Sequence, residues 1–132
     1  MIEVLTFKEK YPIFKVEISK ERSSLKSVDD LLEALKKRIE AHPVAVYIGV
    51  FDHYSHTASL KEGEIGEGIA AAKNIIFCFG KELLLPEVTA LRPRSIGICD
   101  LGDRFVLSFM EAPNSQANDA MKQWAEDLAK GV

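Results

Sequence analysis

The chain has 132 residues, near the commonest size of a domain, and is predicted to form a single domain over residues 1–132. With 47% hydrophobic and 28% charged residues, its composition excludes collagen-like, low-complexity and wholly disordered chains. Lysine and arginine together number 17 against 20 aspartates and glutamates, a net charge of -3, which argues against nucleic acid as a partner.

The sequence predicts a cytoplasmic protein without a membrane partner. No apolar stretch approaches the roughly 18 residues that a membrane-spanning helix needs. The residues that follow Met1 lack the basic and apolar regions of a signal peptide. Cys78 and Cys99 both lie inside apolar runs, and in a reducing compartment such cysteines are expected to be buried thiols rather than a disulfide.

The first part of the chain predicts a hairpin followed by a helix. Residues 2–7 and 13–18 are β-branched and aromatic, and Pro12 is expected to start the second strand because it has no N–H to donate. A helix is predicted over residues 27–41, capped by Ser27 and followed by His42 as the exit before Pro43. Its apolar positions recur at spacings of three and four: Val28, Leu31, Leu32, Leu35 and Ile39.

The middle of the chain is dominated by two apolar runs. Residues 44–51 are apolar on both alternating faces, which predicts an interior strand or one end of a dimer interface. A short helix is expected over residues 67–73, where alanines follow a glycine-rich stretch. A second apolar strand is expected over residues 74–79.

The end of the chain predicts a second hairpin and a second long helix. Residues 95–101 and 104–110 flank Gly102-Asp103, with Ile98 opposite Leu107 and Cys99 on the other face, opposite Val106. The terminal helix is expected to begin at Asn114 or Ser115 and to end before Gly131. The predicted fold class is α+β, a two-layer sandwich in which two main helices pack on a mainly antiparallel sheet.

The densest polar cluster follows the apolar strand at residues 44–51 and is the candidate ligand-binding site: Asp52, His53, Tyr54 and His56. On a helical turn, His53 and His56 could face one divalent metal ion, with Asp52 as a carboxylate ligand or orienting partner. A small-molecule pocket that uses one histidine, or a plain capping loop, are the alternatives. Ser55 lacks a Gly-x-Ser-x-Gly frame, so no catalytic residue is assigned.

Two further features are candidates for chemistry. Cys78 and Cys99 could form a thiol redox or sulfur-handling site if their strands were neighbours, although they do not form a Cys-x-x-Cys motif. The basic pair Arg92 and Arg94 could bind a carboxylate or phosphate through bidentate contacts, or could be a solvated strand entry.

Several segments together resemble the prokaryotic family called domain of unknown function 302, over roughly residues 27–113. They are the helix at 27–41, the strand ending in Phe51-Asp52-His53, the strand from Asn74 to Phe79 closed by Gly80, the segment Arg92-Pro-Arg-Ser-Ile-Gly-Ile-Cys, and Ala112-Pro113. The chain departs from that family's pattern at Phe79-Gly80-Lys81-Glu82 and at Arg92-Pro93. The resemblance implies a compact α+β fold that often forms homodimers, and it transfers no catalytic residue.

The function favoured by the sequence is that of a non-catalytic cytoplasmic homodimer that binds a small ligand or a protein near residues 52–57. The strand at residues 44–51, together with Tyr11, Phe14 and Tyr54, could supply the dimer interface, and the same residues could equally belong to the core. A metal-binding protein that uses His53 and His56 is the first alternative, and a thiol-based protein that uses Cys78 and Cys99 is the second.

Overall fold

Six antiparallel strands form one sheet in the order β1-β2-β6-β5-β4-β3. A computed structural model describes residues 2–131 of the protein. The strands are β1 (Glu3–Phe7), β2 (Tyr11–Ser19), β3 (Val46–Asp52), β4 (Ala71–Cys78), β5 (Arg94–Asp100) and β6 (Arg104–Met110). The helices are α1 (Val28–Ala41), α2 (His53–Ser59), α3 (Val88–Leu91) and α4 (Ser115–Lys130). The predicted α+β class is confirmed.

The two long helices form where their capping residues predict them. The Ser27 hydroxyl accepts a hydrogen bond from the backbone N–H of Asp30 at 3.0 Å and starts α1. The Asn114 side chain accepts from the N–H of Ala117 at 3.1 Å and starts α4. Gly131 ends α4 with a φ of 77°, a left-handed conformation that favours glycine. Within residues 2–131, no helix is long and apolar enough to cross a membrane.

The core lies between one face of the sheet and the helices α1 and α4. Alternate side chains of the four inner strands point to this side, among them Ile75, Phe77, Ile98 and Leu107, which are almost fully buried. The apolar stripe of α1 is buried as its spacing predicts. Trp124 of α4 packs on Phe77, with ring centroids 5.6 Å apart. This helix-covered face therefore contains the main hydrophobic core.

The β5–β6 hairpin has the predicted register. Ile98 lies opposite Leu107 and Cys99 lies opposite Val106. The turn is closed by Asp100, whose carboxylate accepts a hydrogen bond from the N–H of Gly102 at 2.8 Å. The N-terminal hairpin is also confirmed, with Pro12 near the start of β2.

The strand predicted at residues 44–51 is present as β3, but its predicted interior position is wrong, because among the described strands β3 pairs only with β4 and lies at the edge. Val46 and Ile48 are 62% and 55% exposed. A bulge between Tyr47 and Gly49 interrupts the two-residue alternation of β3. Apolar side chains therefore lie on both faces of the strand, although the two faces are not both covered by other parts of the protein. Phe14, which the sequence assigned either to a dimer interface or to the core, is buried in the core.

The predicted short helix at residues 67–73 is wrong as well. Ala71 already lies in β4, opposite Asp100 of β5, and the preceding residues form turns. Hydrogen bonds from Gly63 N–H to Leu60 O and from Ile69 N–H to Gly66 O hold these turns. Pairing with β5 overrides the helical preference of the alanines, since tertiary context decides such short segments. The short helices α2 and α3 have no predicted counterpart.

Candidate functional site

The sheet face opposite α1 and α4, called here the open face, carries adjoining cavities along β3, β4 and β5. The first lies under α2 and shares His53 with the second, which has a volume of about 340 Å³ and lies over Asn74 and Ile76. The second shares Pro93 with a third cavity of about 310 Å³, which extends to Cys78. The open face therefore provides space for a bound molecule beside the sheet.

The first cavity, called here the α2 cleft, has a volume of about 210 Å³ and lies between α2, the turns before β4, and the sheet. Its walls are mainly apolar, with a few polar groups at the rim. The lining residues are His53, Tyr54, Thr57, Glu64, Ile65, Gly66, Ile69, Ala72 and Cys99.

Helix α2 is fixed by Asp52, the last residue of β3. Its carboxylate accepts a hydrogen bond from the backbone N–H of Ser55 at 2.9 Å and caps the helix. This hydrogen bond, helped by the charge of Lys73, holds the pKa of Asp52 below its ordinary value. Asp52 thus has the capping role that the sequence offered as an alternative, and it positions His53 and Tyr54 at the cleft.

His53 and His56 lie on the same side of α2, with ring centroids 6.5 Å apart. Both rings lie against Phe51, at centroid distances of 5.3 Å and 5.2 Å. His53 lines the α2 cleft, whereas His56 does not. No group of three or more histidine, cysteine, aspartate or glutamate side chains within residues 2–131 could hold a metal ion. The divalent-metal hypothesis for His53 and His56 therefore stays a prediction, without a third protein ligand to support it.

The two cysteines lie on neighbouring strands but at opposite ends of the open face. Cys99 of β5 lies opposite Ala72 of β4, and Cys78 is six residues further along β4. At about 3.3 Å per residue the two thiols are roughly 20 Å apart, whereas a disulfide needs Cα atoms within about 7 Å. Burial also raises the pKa of the Cys99 thiol, which disfavours the reactive thiolate.

The sequence pointed to one wall of the cleft and missed the other. His53 and Tyr54 were candidates, but Ile65, Ile69 and Ala72 were not. Ile69 and Ala72 belong to the segment predicted as a helix, and Ile65 lies in the glycine-rich stretch before it. No periodic pattern therefore indicated that the three residues line one cleft. Glu64 also lines the cleft and follows no motif that would have identified it.

Comparison with known proteins gives one match. A family model described as Family of unknown function (DUF6858) matches residues 2–130, and the chain belongs to this family. The resemblance to domain of unknown function 302 is therefore wrong: it rested on the order of helices and strands, which unrelated α+β domains share. No curated protein and no solved structure matches the chain.

Proposed function

We propose that this member of a family of unknown function binds a small, mainly apolar molecule in the α2 cleft and catalyses no reaction on it. The observation that carries the proposal is the cleft of about 210 Å³ between α2 and the open face. This volume is below the roughly 300–1,000 Å³ of pockets for drug-sized ligands, which favours a small metabolite.

The lining of the cleft limits the chemistry of the ligand. Ile65, Ile69 and Ala72 offer an apolar wall for a short hydrocarbon portion, while His53 and Thr57 offer hydrogen-bonding groups. Among the described residues, the lining includes a carboxylate but no lysine or arginine. An anionic head group would therefore find no counter-charge, and a neutral or cationic one is favoured.

Three probes with the same four-carbon chain test this proposal: 1-butanol, n-butylamine and butyrate. Each is titrated into the protein while the methyl signals of Ile65 and Ile69 are followed by NMR. We expect butanol or butylamine to shift these signals at lower concentration than butyrate. Absence of a shift with all three probes would overturn the proposal.

A pair of variants controls for indirect effects. Ala72→Leu fills the wall of the cleft and should abolish the shifts. Ala58→Leu adds the same side chain to an exposed position of α2 outside the cleft and should leave them unchanged. Equal binding by both variants would show that the probes bind outside the α2 cleft.

A second observation supports self-association. The edge strand β3 exposes Val46, Ile48 and Val50 and has no lysine or proline to protect its unpaired backbone. Antiparallel pairing of β3 with β3 of a second copy would satisfy these backbone groups around a two-fold axis. We propose this homodimer, because one strand paired antiparallel with its own copy is self-complementary.

The oligomeric state tests the dimer directly. Light scattering after size-exclusion chromatography at about 100 μM should give a dimer that dissociates in Ile48→Lys. Val4→Lys places the same charge on the opposite edge strand, β1, at an equally exposed position, and should remain dimeric. A monomeric wild type, or equal behaviour of the two variants, would contradict pairing through β3.

A further inference from the structure

A small cavity at the start of β5 is lined by two arginines, Arg92 and Arg94. It has a volume of about 60 Å³ and lies away from the α2 cleft. Its other walls are apolar side chains and the first turn of α4. Phe79, Leu91 and Ala117 supply apolar parts of this lining.

Neither arginine forms an ion pair with a carboxylate within residues 2–131. The Arg92 guanidinium donates to the backbone oxygen of Glu82 at 2.8 Å. Arg94 donates to the backbone oxygens of Met110 and Glu111, at 2.7 Å and 3.1 Å. These carbonyls fix the positions of both groups but leave two positive charges without a counter-ion.

Burial makes this lack of a counter-ion costly at Arg94. Removal from water lowers the pKa of Arg94 below its ordinary value, which means that its charged form is disfavoured. A bound anion would offset this cost, because charge-assisted hydrogen bonds are strong where water is partly excluded. The carbonyl contacts of Arg94 alone supply no negative charge.

The backbone at Gly80 is shaped around Arg92. Gly80 has a φ of 101°, and a Cβ atom at this position would lie 2.6 Å from the guanidinium carbon of Arg92. A side chain at residue 80 would therefore push the guanidinium out of its present position, next to the third cavity that Gly80 and Arg92 both line. The hydrogen bond to the Glu82 carbonyl holds Arg92 in place, so part of the entropy cost of ordering it is already met.

We propose that Arg92 and Arg94 bind an oxyanion group, a carboxylate or a phosphate, in this cavity. The planar guanidinium presents paired donors that match both groups. A cavity of about 60 Å³ fits a head group rather than a whole metabolite. The start of α4 also favours negative charge, but the two unpaired arginines are the basis of the proposal.

Inorganic phosphate and acetate are the probes that distinguish the two sources of the oxyanion. Each is titrated against chloride at constant ionic strength while the side-chain Nε–Hε signals of Arg92 and Arg94 are followed by NMR. We expect these signals to shift saturably with at least one probe. No saturable shift with either probe overturns the proposal, whatever the variants do.

Variants then locate the site. Arg92→Gln should weaken binding of the active probe roughly tenfold or more, since a hydrogen bond to a charged group is lost. Arg22→Gln removes the same charge from an exposed position outside the cavity and should bind as the wild type does. If both variants weaken binding equally, the effect is one of net charge and the proposal fails. The Nε–Hε signals of the wild type decide the matter should Arg92→Gln fail to fold.

Discussion

The two faces of the sheet differ in how completely the side chains of the same strands are buried. On β4, Ile75 and Phe77 point to the helix-covered face and are fully buried, whereas their neighbours Ile76 and Cys78 point to the open face and are partly exposed. The helix-covered face gains stability by excluding water. The open face leaves space along three strands, and the α2 cleft lies there. The main hydrophobic core and the α2 cleft thus lie on opposite sides of one sheet, whereas the cavity of Arg92 and Arg94 lies beside the first turn of α4.

The largest expected effect is the loss of stability when a side chain is removed from the helix-covered face. Phe77→Ala should lower the free energy of unfolding by about 3–5 kcal/mol, because Phe77 is fully buried against Phe79 and Trp124 and little can relax into the void. Ile76→Ala, one residue along on the open face, should cost about 1 kcal/mol. Urea denaturation measures both, and equal losses would contradict the division between the faces.

The next largest effect on stability is expected at Gly80, whose backbone lies beside the Arg92 guanidinium. Gly80→Ala should destabilise the protein by about 1–3 kcal/mol, because residue 80 has a positive φ and a Cβ would collide with Arg92. Gly49→Ala on β3 meets no atom within 4 Å and should be neutral or stabilising by about 0.5 kcal/mol. Thermal unfolding of the two variants checks this contrast, and a tolerated Gly80→Ala would show that Arg92 is free to move.

A smaller effect on folding stability is expected at acidic pH, through Asp100. The pKa of Asp100 is lowered: burial raises it, but hydrogen bonds from Lys20 and from the N–H of Gly102 outweigh the burial. A carboxyl whose folded pKa lies below its unfolded value of about 3.9 contributes stability above that pH. This contribution is lost as the pH falls through the folded pKa, so stability should decline below about pH 4.

Substitution of Asp100 tests whether its carboxylate causes the loss of stability at acidic pH. Asp100→Asn should cost about 1 kcal/mol at pH 7 and flatten the decline in acid, since its contact with Lys20 at 2.7 Å is lost. Asp103→Asn, in the same turn but well exposed, should change stability by less than about 0.5 kcal/mol. Denaturation at pH 7 and pH 3 compares them, and identical profiles would exclude Asp100 as the source.

The smallest expected effect is on the reactivity of the Cys99 thiol at the open face. In a Cys78→Ser variant, Cys99 should react with a thiol reagent at pH 8 several-fold more slowly than free cysteine, since burial raises its pKa and limits access. Stopped-flow absorbance gives the rate. Reaction as fast as free cysteine, or faster, would restore the thiol hypothesis and make the open face a reactive surface.

Prediction from the sequence succeeded where the signal was local and repeated. The stripe from Val28 to Ile39 and the cap at Ser27 predicted α1, and the Gly102-Asp103 turn fixed which residues of β5 and β6 face each other. It failed to place the strand at residues 44–51 at the edge of the sheet, and it predicted a helix at residues 67–73, where small residues fit more than one structure. Of the candidate residues named from the sequence, His53 and Tyr54 line the α2 cleft, whereas no pattern in the sequence indicated Ile65, Ile69 and Ala72.

The sequence by itself determined the fold class, the two long helices and the hairpin register, because these depend on spacing and capping within a few residues. Only the tertiary structure decided that β3 is an edge strand and that Cys78 and Cys99 lie far apart. Only the tertiary structure brought α2 over Ala72 and placed Arg92 and Arg94 around one cavity. Strand order and the docking of short segments arise from contacts between residues distant in the chain, which no local pattern records.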